Sequence, residues 1–188
     1  DVVKKRTDPL GNSEEWTFAP ASPSGFRNAQ SFKDRRGNVT QYTYVPPANP
    51  PTPTRPYAVD LLASILRPGQ ATPASFTYGV FNRLETATDP LGHATTHTLD
   101  PATGNVLFVT RPAAPTVLPD GTEASQASVE GFTYDARGRI LTRTAPTGGI
   151  TNYQYNDPVT GLPTHVLSPD HALPEVSAYD ALGHVLSV

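Results

Sequence analysis

The sequence predicts an all-β fold of consecutive antiparallel β-hairpins. Three observations lead to this prediction. Turn signals built from Pro, Asp and Gly recur along the chain, a short stretch of alternating aromatic and polar residues follows each one, and helix-forming stretches are scarce. Because alternation with a period of two is typical of a half-buried strand, the pattern favours short strands joined by tight turns.

The first kind of turn precedes a triplet whose outer residues are aromatic or apolar. Trp16 and Phe18 follow five and seven places after Gly11, with Thr17 between them. The same spacing recurs after later turn glycines, and a related turn at Arg67-Pro68-Gly69 precedes another triplet. The outer residues of the six triplets are Trp16, Phe18, Tyr42, Tyr44, Phe76, Tyr78, His97, Leu99, Phe132, Tyr134, Tyr153 and Tyr155.

A second kind of turn follows the triplets. Residues 134–140 read Tyr-Asp-Ala-Arg-Gly-Arg-Ile, and residues 179–185 repeat this pattern. In residues 78–84, Asn82 stands where the Gly is expected, and Asn tolerates a left-handed backbone almost as well. Since Pro presets φ and Gly accepts positive φ, both kinds of segment predict turns. The glycines assigned to turns as repeat-defining residues are Gly11, Gly37, Gly92, Gly138 and Gly183.

The triplets recur with a regular period. The interval from Tyr78 to Leu99 is 21 residues, as is the interval from Tyr134 to Tyr155. Longer intervals elsewhere predict loop insertions near residues 45–60 and 112–130. We therefore expect about seven hairpin units forming one repeat segment over residues 1–188, with no separate second domain.

Within each triplet, the alternation predicts aromatic residues on one face of the sheet and Thr or Gln on the other. The aromatic face is expected to form the core, and its members are assigned a structural role. Successive hairpins place these aromatics in equivalent positions. We expect cross-strand aromatic pairs that contribute about 0.2–1 kcal/mol each relative to Ala pairs.

One stretch permits a competing helix. Val59, Leu62, Ala63 and Leu66 have the spacing of one helical face. The repeat instead predicts a strand that ends at the Pro68-Gly69 turn. We favour the strand, because it also explains the flanking residues.

Composition excludes several classes of function. The 188 residues carry 14 basic and 17 acidic side chains, a net charge of −3, so no basic excess exists to bind nucleic acid. The absence of Cys excludes disulfides and thiolate metal sites, and no apolar run approaches the ~18 residues of a membrane span. Since the sequence has no Met, we expect it to be part of a longer chain.

No catalytic, metal or cofactor site is predicted. His93 and His97 have the i, i+4 spacing of helical metal ligands, but on a strand they would lie ~13 Å apart. His165, His171 and His184 are expected to be solvated turn residues. The repeated aspartates could suggest calcium loops or paired acids. Their regular place before a turn better fits capping of the local backbone.

Two segments resemble the RHS/YD repeat, whose unit reads Tyr-Asp-x-x-Gly-Arg-Leu followed by Asp-Pro-x-Gly. Residues 134–140 match its first part, and residues 89–92, Asp-Pro-Leu-Gly, match its second part. The resemblance recurs over nearly the whole chain outside the two insertions. It implies a large secreted or cell-surface bacterial protein in which consecutive antiparallel hairpins coil into a spiral sheet. In polymorphic toxins and insecticidal toxin complexes of this family, the sheet closes into a hollow shell around a toxic C-terminal domain.

The resemblance also implies the role of this piece. Bacterial shells end in a segment of the type Pro-x-x-x-x-Asp-Pro-x-Gly, whereas Val3 and Leu84 stand where that Pro would precede Asp8 and Asp89. We therefore expect a structural wall segment with no enzymatic activity. Its implied partners are the rest of the shell, an enclosed toxin domain, and a secretion or delivery apparatus. The alternative is an adhesive or carbohydrate-binding surface protein that recognises a glycan on its target.

Overall fold

The structure, a computed structural model, describes residues 4–20, 27–45, 60–117 and 121–187. These residues are almost entirely strands and turns, as the sequence predicts. The strands are β1 Lys5–Thr7, β2 Ser13–Phe18, β3 Ala29–Lys33, β4 Val39–Val45, β5 Leu61–Leu66, β6 Ala74–Tyr78, β7 Leu84–Thr88, β8 Ala94–Leu99, β9 Val106–Val117, β10 Glu123–Tyr134, β11 Ile140–Thr144, β12 Ile150–Gln154, β13 His165–Leu167, β14 Glu175–Val176, β15 Ala178–Tyr179 and β16 Val185–Ser187.

The strands follow one another in space as they do in sequence. One 14-stranded sheet has the order β1 to β14, and β15 and β16 form a separate hairpin. Every pairing whose register is defined is antiparallel, from β1 with β2 to β15 with β16. The fold is therefore a run of consecutive hairpins without crossovers. The chain divides into two compact units, Asp1–Thr96 and His97–Val188.

A β-bulge recurs at the same step of the triplets. The register shifts between Thr17 and Phe18, and again between Thr43 and Tyr44. The same shift lies between the second and third triplet residues on β6 and β10. In each case the partner strand carries one extra residue. Because bulges bend a strand and increase its right-handed twist, the repeat adds twist at regular intervals.

Exposure alternates along the triplets. On β4, Tyr42 and Tyr44 are half-buried and Thr43 is exposed, and the other triplets follow the same pattern. The Thr hydroxyls pair across strands, as in the 2.7 Å contact between Thr43 and Ser64. No hydrophobic residue among the described ranges is fully buried, so the aromatic face is half-buried in this chain, and its role as a core stays a prediction.

The register also corrects the expected aromatic pairs. Tyr42 lies opposite Ile65, and Tyr78 lies opposite Leu84. Each hairpin has two strands, so equivalent aromatics are separated by an intervening strand, about 9–10 Å at the usual strand spacing. The one aromatic contact found within the described ranges joins Trp16 to Phe32, its cross-strand partner, with ring centroids 5.2 Å apart.

Two ambiguous stretches form strands. The stretch with helical spacing forms β5 from Leu61 onward, which confirms the predicted strand there, while Val59 lies outside the described residues. Where a loop insertion is expected at 112–130, β9 and β10 instead continue as a long hairpin. The two strands are paired from Val117 and Glu123 to Phe108 and Gly131, with a register shift between Gln126 and Ser128. Most of the other insertion, residues 46–59, lies outside the described residues.

The turn between β6 and β7 has an unusual backbone. Val80–Asn82 forms a single 3-10 turn in which φ is 55° at Phe81 and 57° at Asn82. Arg83 N–H donates to the Val80 carbonyl at 3.0 Å. Positive φ at both central residues is the signature of a type I′ hairpin turn. Asn82 thus has the predicted left-handed conformation, whereas Phe81 is a bulky residue in a region it seldom adopts. No helix in the described ranges is long and apolar enough to cross a membrane.

Candidate functional site

The repeated turn is built around one aspartate. In the turn after β1, Oδ1 of Asp8 accepts hydrogen bonds from the backbone N–H groups of Leu10 and Asn12, both at 2.9 Å. Gly11 N–H donates to the Asp8 carbonyl at 3.0 Å, and its φ is 86°. The carboxylate therefore satisfies two backbone donors that the turn would otherwise leave to water. The same arrangement is found at Asp8, Asp34, Asp89, Asp135 and Asp180.

The second carboxylate oxygen is also used. Oδ2 of each aspartate contacts the side chain four residues later, as in the 2.8 Å bond from Asn38 to Asp34. At Asp135 the partner is Arg139, whose Nε donates at 2.7 Å and whose guanidinium lies 4.2 Å from the Tyr155 ring centroid. In the sequence, this contact is indicated by a side chain that can donate a hydrogen bond (Asn, His or Arg) directly after the turn glycine. Sequence reasoning did not use it.

These contacts lower the pKa of the turn carboxyls. For each of the five aspartates, the largest cause is a hydrogen bond from the residue four positions later. That donor is a side chain for Asp8, Asp34 and Asp89, and a backbone N–H for Asp135 and Asp180. Because hydrogen bonds to the charged form favour ionisation, these groups act as fixed acceptors.

One turn forms without the aspartate. At Ala145, Gly148 N–H donates to the Ala145 carbonyl at 2.8 Å, and Ala145 N–H donates to the Gly149 carbonyl at 2.8 Å. The backbone bonds match those around Asp135. The carboxylate therefore stabilises the turn without being required for its shape. At the tips, the residue before the glycine projects into solvent, with exposures of 87% at Leu10 and 82% at Leu182.

Tyrosine hydroxyls bond to backbone carbonyls earlier in the chain. Tyr78 donates to the Leu62 carbonyl at 2.8 Å, and Tyr155 donates to the Ile140 carbonyl at 2.7 Å. Burial raises the pKa of the Tyr78 phenol, and it is also the largest cause of the raised pKa of Tyr155. Sequence reasoning placed these residues on the aromatic face but missed the bond. The same bond recurs at Tyr78, Tyr134, Tyr155 and Tyr179.

A charged cluster lies across β9, β10 and β11. The Glu130 side chain is 7% exposed, and its carboxylate accepts hydrogen bonds from Arg111 at 3.3 Å and from Arg143 Nε. Burial alone would raise the pKa of Glu130, but the hydrogen bonds and charges of Arg143 and Arg111 hold it below the ordinary value. Only Glu130 falls within the predicted insertion, at its last residue, and the three residues form no motif, so nothing in the sequence indicates the cluster. It can neutralise a buried charge between three strands.

The histidines do not converge. His93 precedes β8 rather than lying on the strand, and its Nδ1 is 2.9 Å from Asp89 Oδ2. His184, expected to be merely solvated, makes the equivalent 2.8 Å contact with Asp180. His165 lies on β13 rather than in a turn. Within the described ranges, no group of three or more His, Asp or Glu side chains could hold a metal ion.

Comparison with known proteins gives matches among solved structures. No protein-family model and no curated protein matches the chain. A crystal structure of TcdB2-TccC3 without hypervariable C-terminal region matches with a TM-score of 0.61 and 15% identity, over 97% of this chain and 9% of that one. For TcdB2-TccC3-Cdc42 the TM-score is 0.60, again with 15% identity and coverages of 97% and 9%. The Photorhabdus luminescens Tc holotoxin pore matches with a TM-score of 0.58 and 15% identity, covering 96% and 9%.

This chain shares their fold. At 15% identity, the likeness is carried by the run of hairpins rather than by particular side chains. The chain spans about 9% of the length of these toxin-complex chains. A run of hairpins like this one thus also occurs within much longer proteins.

Proposed function

We propose that this chain is a structural wall segment of a large secreted toxin-complex protein, whose hairpin sheet encloses a C-terminal toxin domain. The observation that carries the proposal is the full-length likeness to TcdB2-TccC3 structures, 97% of this chain against 9% of the other. A chain that matches over 97% of its residues fits a continuous stretch of such a sheet.

The chemistry of the repeat suits a wall. Its carboxylates close turns, its tyrosine hydroxyls bond to backbone carbonyls, and its Thr hydroxyls pair across strands. Each of these groups has a stabilising role that uses its hydrogen-bonding capacity. We therefore propose that the segment acts as structure and not as an enzyme. Its partners would be the rest of the sheet and the enclosed domain.

Protection from protease tests the proposal in the full-length protein that contains this segment. If the sheet encloses the C-terminal domain, that domain should resist digestion in the wild type. Loosening the wall with the double substitution Tyr134→Ala and Tyr155→Ala should expose it. The matched control, Thr133→Ala with Gln154→Ala, changes exposed neighbours of the same two residues and should leave protection intact.

Two results would contradict enclosure. One is digestion of the C-terminal domain in the intact protein at the rate of the isolated domain. The other is a full-length protein that has no domain beyond the hairpins. The adhesive alternative would then be the better hypothesis, although the comparisons give it no support.

A further inference from the structure

The long hairpin of β9 and β10 extends beyond its neighbour β11. β11 ends at Thr144, which lies opposite Gly131, and the chain then turns at Ala145. β10 continues away from this point as far as Glu123, and over that stretch β9 is its paired strand among the described strands. We call residues 110–117 and 123–129 the arm. One edge of β10 in the arm therefore has no neighbouring strand.

The alternation of an antiparallel ladder shows which backbone groups face this edge. Ala145 N–H donates to the Gly149 carbonyl on the β12 side, so the backbone groups of Thr144 point the other way, toward Gly131. Every second residue of β10 before Gly131 then points its N–H and carbonyl away from β9. These residues are Val129, Ala127 and Ser125. Within the described ranges, no hydrogen bond from their backbone groups on that side is found, so these donors and acceptors are free to pair.

The two edges of the arm differ in their capacity to pair. Pro115 lies opposite Ser125, so its backbone points away from β10, where it offers no N–H. Pro112 lies in the register shift of the same strand. Prolines thus interrupt the outer edge of β9, which blocks pairing with another strand, whereas residues 123–129 of β10 contain none. The β10 edge is the one that can accept a further strand.

The side chains along this edge leave both faces accessible. Ser125, Gln126 and Ala127 are all exposed, and consecutive residues of a strand face opposite sides. Val129 is 45% exposed. Residues 124–128 are small or polar and carry no charge. The geometry of a strand, rather than charge, therefore determines what this edge can bind.

The edge is complementary to a second copy of itself. When two such edges pair antiparallel about a two-fold axis at Gln126, Ser125 of each chain lies opposite Ala127 of the other, and the outward-facing backbone groups of both residues meet. Gln126 then lies opposite Gln126 of the second copy in a non-hydrogen-bonded pair, the arrangement that brings side chains closest. Each carboxamide can donate and accept, so the two can bond to each other. The pairing ends at Val129, before the residues that β11 covers.

We propose that the β10 edge of the arm, residues 123–129, binds the same edge of a second copy of this chain, which joins two arms into one continuous sheet. Because the pairing stretch is short, the dimer is weak and reversible. The proposal does not depend on enclosure of a toxin domain, since it concerns only β9, β10 and β11 within one compact unit.

Sedimentation velocity of the 188-residue chain between about 0.05 and 1 mM tests the proposal, and we expect a reversible monomer–dimer equilibrium. Gln126→Lys places two like charges opposite each other at the axis, as does Gln126→Glu, so each variant alone should dimerise at least ~10-fold more weakly. An equimolar mixture of the two should dimerise again, because opposite charges then meet. Gln154→Lys and Gln154→Glu, at an exposed position of β12, are the matched controls and should dimerise like the wild type.

A backbone variant tests the pairing itself. Ala127→Pro removes one outward-facing N–H but no hydrogen bond to β9, so a folded variant should stay monomeric. If this variant does not fold, the charge exchange at Gln126 decides. Circular dichroism identifies the variants that are folded.

Three results would overturn the proposal. The first is a folded wild type that stays monomeric up to about 1 mM, including one that instead binds the strand-forming peptide acetyl-Thr-Val-Thr-Val-Thr-amide. The second is dimerisation that is unchanged by either charge at Gln126. The third is a mixture of the Gln126→Lys and Gln126→Glu variants that associates no more tightly than each variant alone.

Discussion

The Tyr155 hydroxyl donates a 2.7 Å hydrogen bond to the carbonyl of Ile140, fifteen residues earlier in the chain. Ile140 begins β11 and Tyr155 directly follows β12, so the bond joins the far end of one strand to the start of its partner. The Tyr155 phenol thus supplies a hydrogen-bond donor to the backbone carbonyl at the start of β11. Its recurrence at other units makes it a property of the repeat.

Removing this hydroxyl should destabilise the chain modestly. Tyr155→Phe keeps the ring and its contact with Arg139 but loses the bond to Ile140, so we expect a loss of about 1 kcal/mol in the free energy of unfolding. Tyr153→Phe, at the other aromatic position of the same triplet, should change stability by less. Urea unfolding followed by circular dichroism measures both. Equal losses would show that the bond contributes nothing specific.

Removing the whole ring tests how much the half-buried aromatic face contributes. Tyr155 is only half-buried, so Tyr155→Ala should cost about 2 kcal/mol rather than the ~3–5 kcal/mol of a fully buried aromatic. Gln154→Ala, on the exposed face, should cost under ~0.5 kcal/mol. Thermal unfolding of the two variants gives the comparison. A similar loss for both would mean that the two faces contribute equally.

The turn aspartate can be tested in both directions. Asp135→Ala removes the acceptor for the Arg137 and Arg139 N–H groups and should lower the melting temperature by about 2–4 °C. Ala145→Asp adds the missing acceptor to a turn that already has the same backbone bonds, and it should raise the melting temperature. Differential scanning calorimetry measures both shifts. A decrease for Ala145→Asp would show that the turn geometry at 145–148 differs from that at 135–138.

The turn carboxyls should make the fold sensitive to acid. Their pKa values are lowered in the folded chain from the ordinary 3.8, so folding is favoured by their charged form. This stabilisation is fully present above pH 3.8 and is lost as the pH falls through the lowered folded values. Replacing Asp8, Asp34 and Asp135 with Asn should flatten the dependence of melting temperature on pH below 4. An unchanged acid limb in this triple variant would contradict the assignment.

In the charged cluster on β9, β10 and β11, the effects of replacing Arg111 and Arg143 on the free energy of unfolding should be coupled. Either Arg111 or Arg143 alone can compensate the buried Glu130 charge, but loss of both leaves it uncompensated. The double variant Arg111→Ala and Arg143→Ala should therefore lose about 1 kcal/mol more than the sum of the single variants. A double-mutant cycle by chemical denaturation measures this excess. Simple additivity would indicate that the two arginines act independently.

Much of the hairpin architecture could be predicted from sequence because it depends on local chemistry. Gly11 and Asp8 specify a turn through φ and side-chain capping, and Thr17 between two aromatics specifies a strand face. The recurring bulge was not predictable, because an extra residue such as Gln30 has no distinctive side chain. Strand pairing alone reveals it.

The sites missed by sequence depend on contacts between distant residues. Glu130 and Arg111 are nineteen residues apart, and Asn28 and Asp60 are thirty-two apart. Neither pair has a motif, and both require the register of several strands. The direction of the Tyr78 hydroxyl likewise follows from the path of the adjacent strand, β5, rather than from its own triplet. Periodicity therefore identifies the faces but not the contacts between units.

The Ala145 turn has a consequence for how this sheet can vary. Its shape depends on backbone bonds to Gly148 and on positive φ there, so the residues between the first position and the glycine are free to change. The exposed tips at Leu10, Leu91 and Leu182 are such positions. Substitutions at these exposed loop tips should therefore leave the strand registry unchanged. The same tips are natural places to graft a peptide epitope or a fluorescent label without disturbing the sheet.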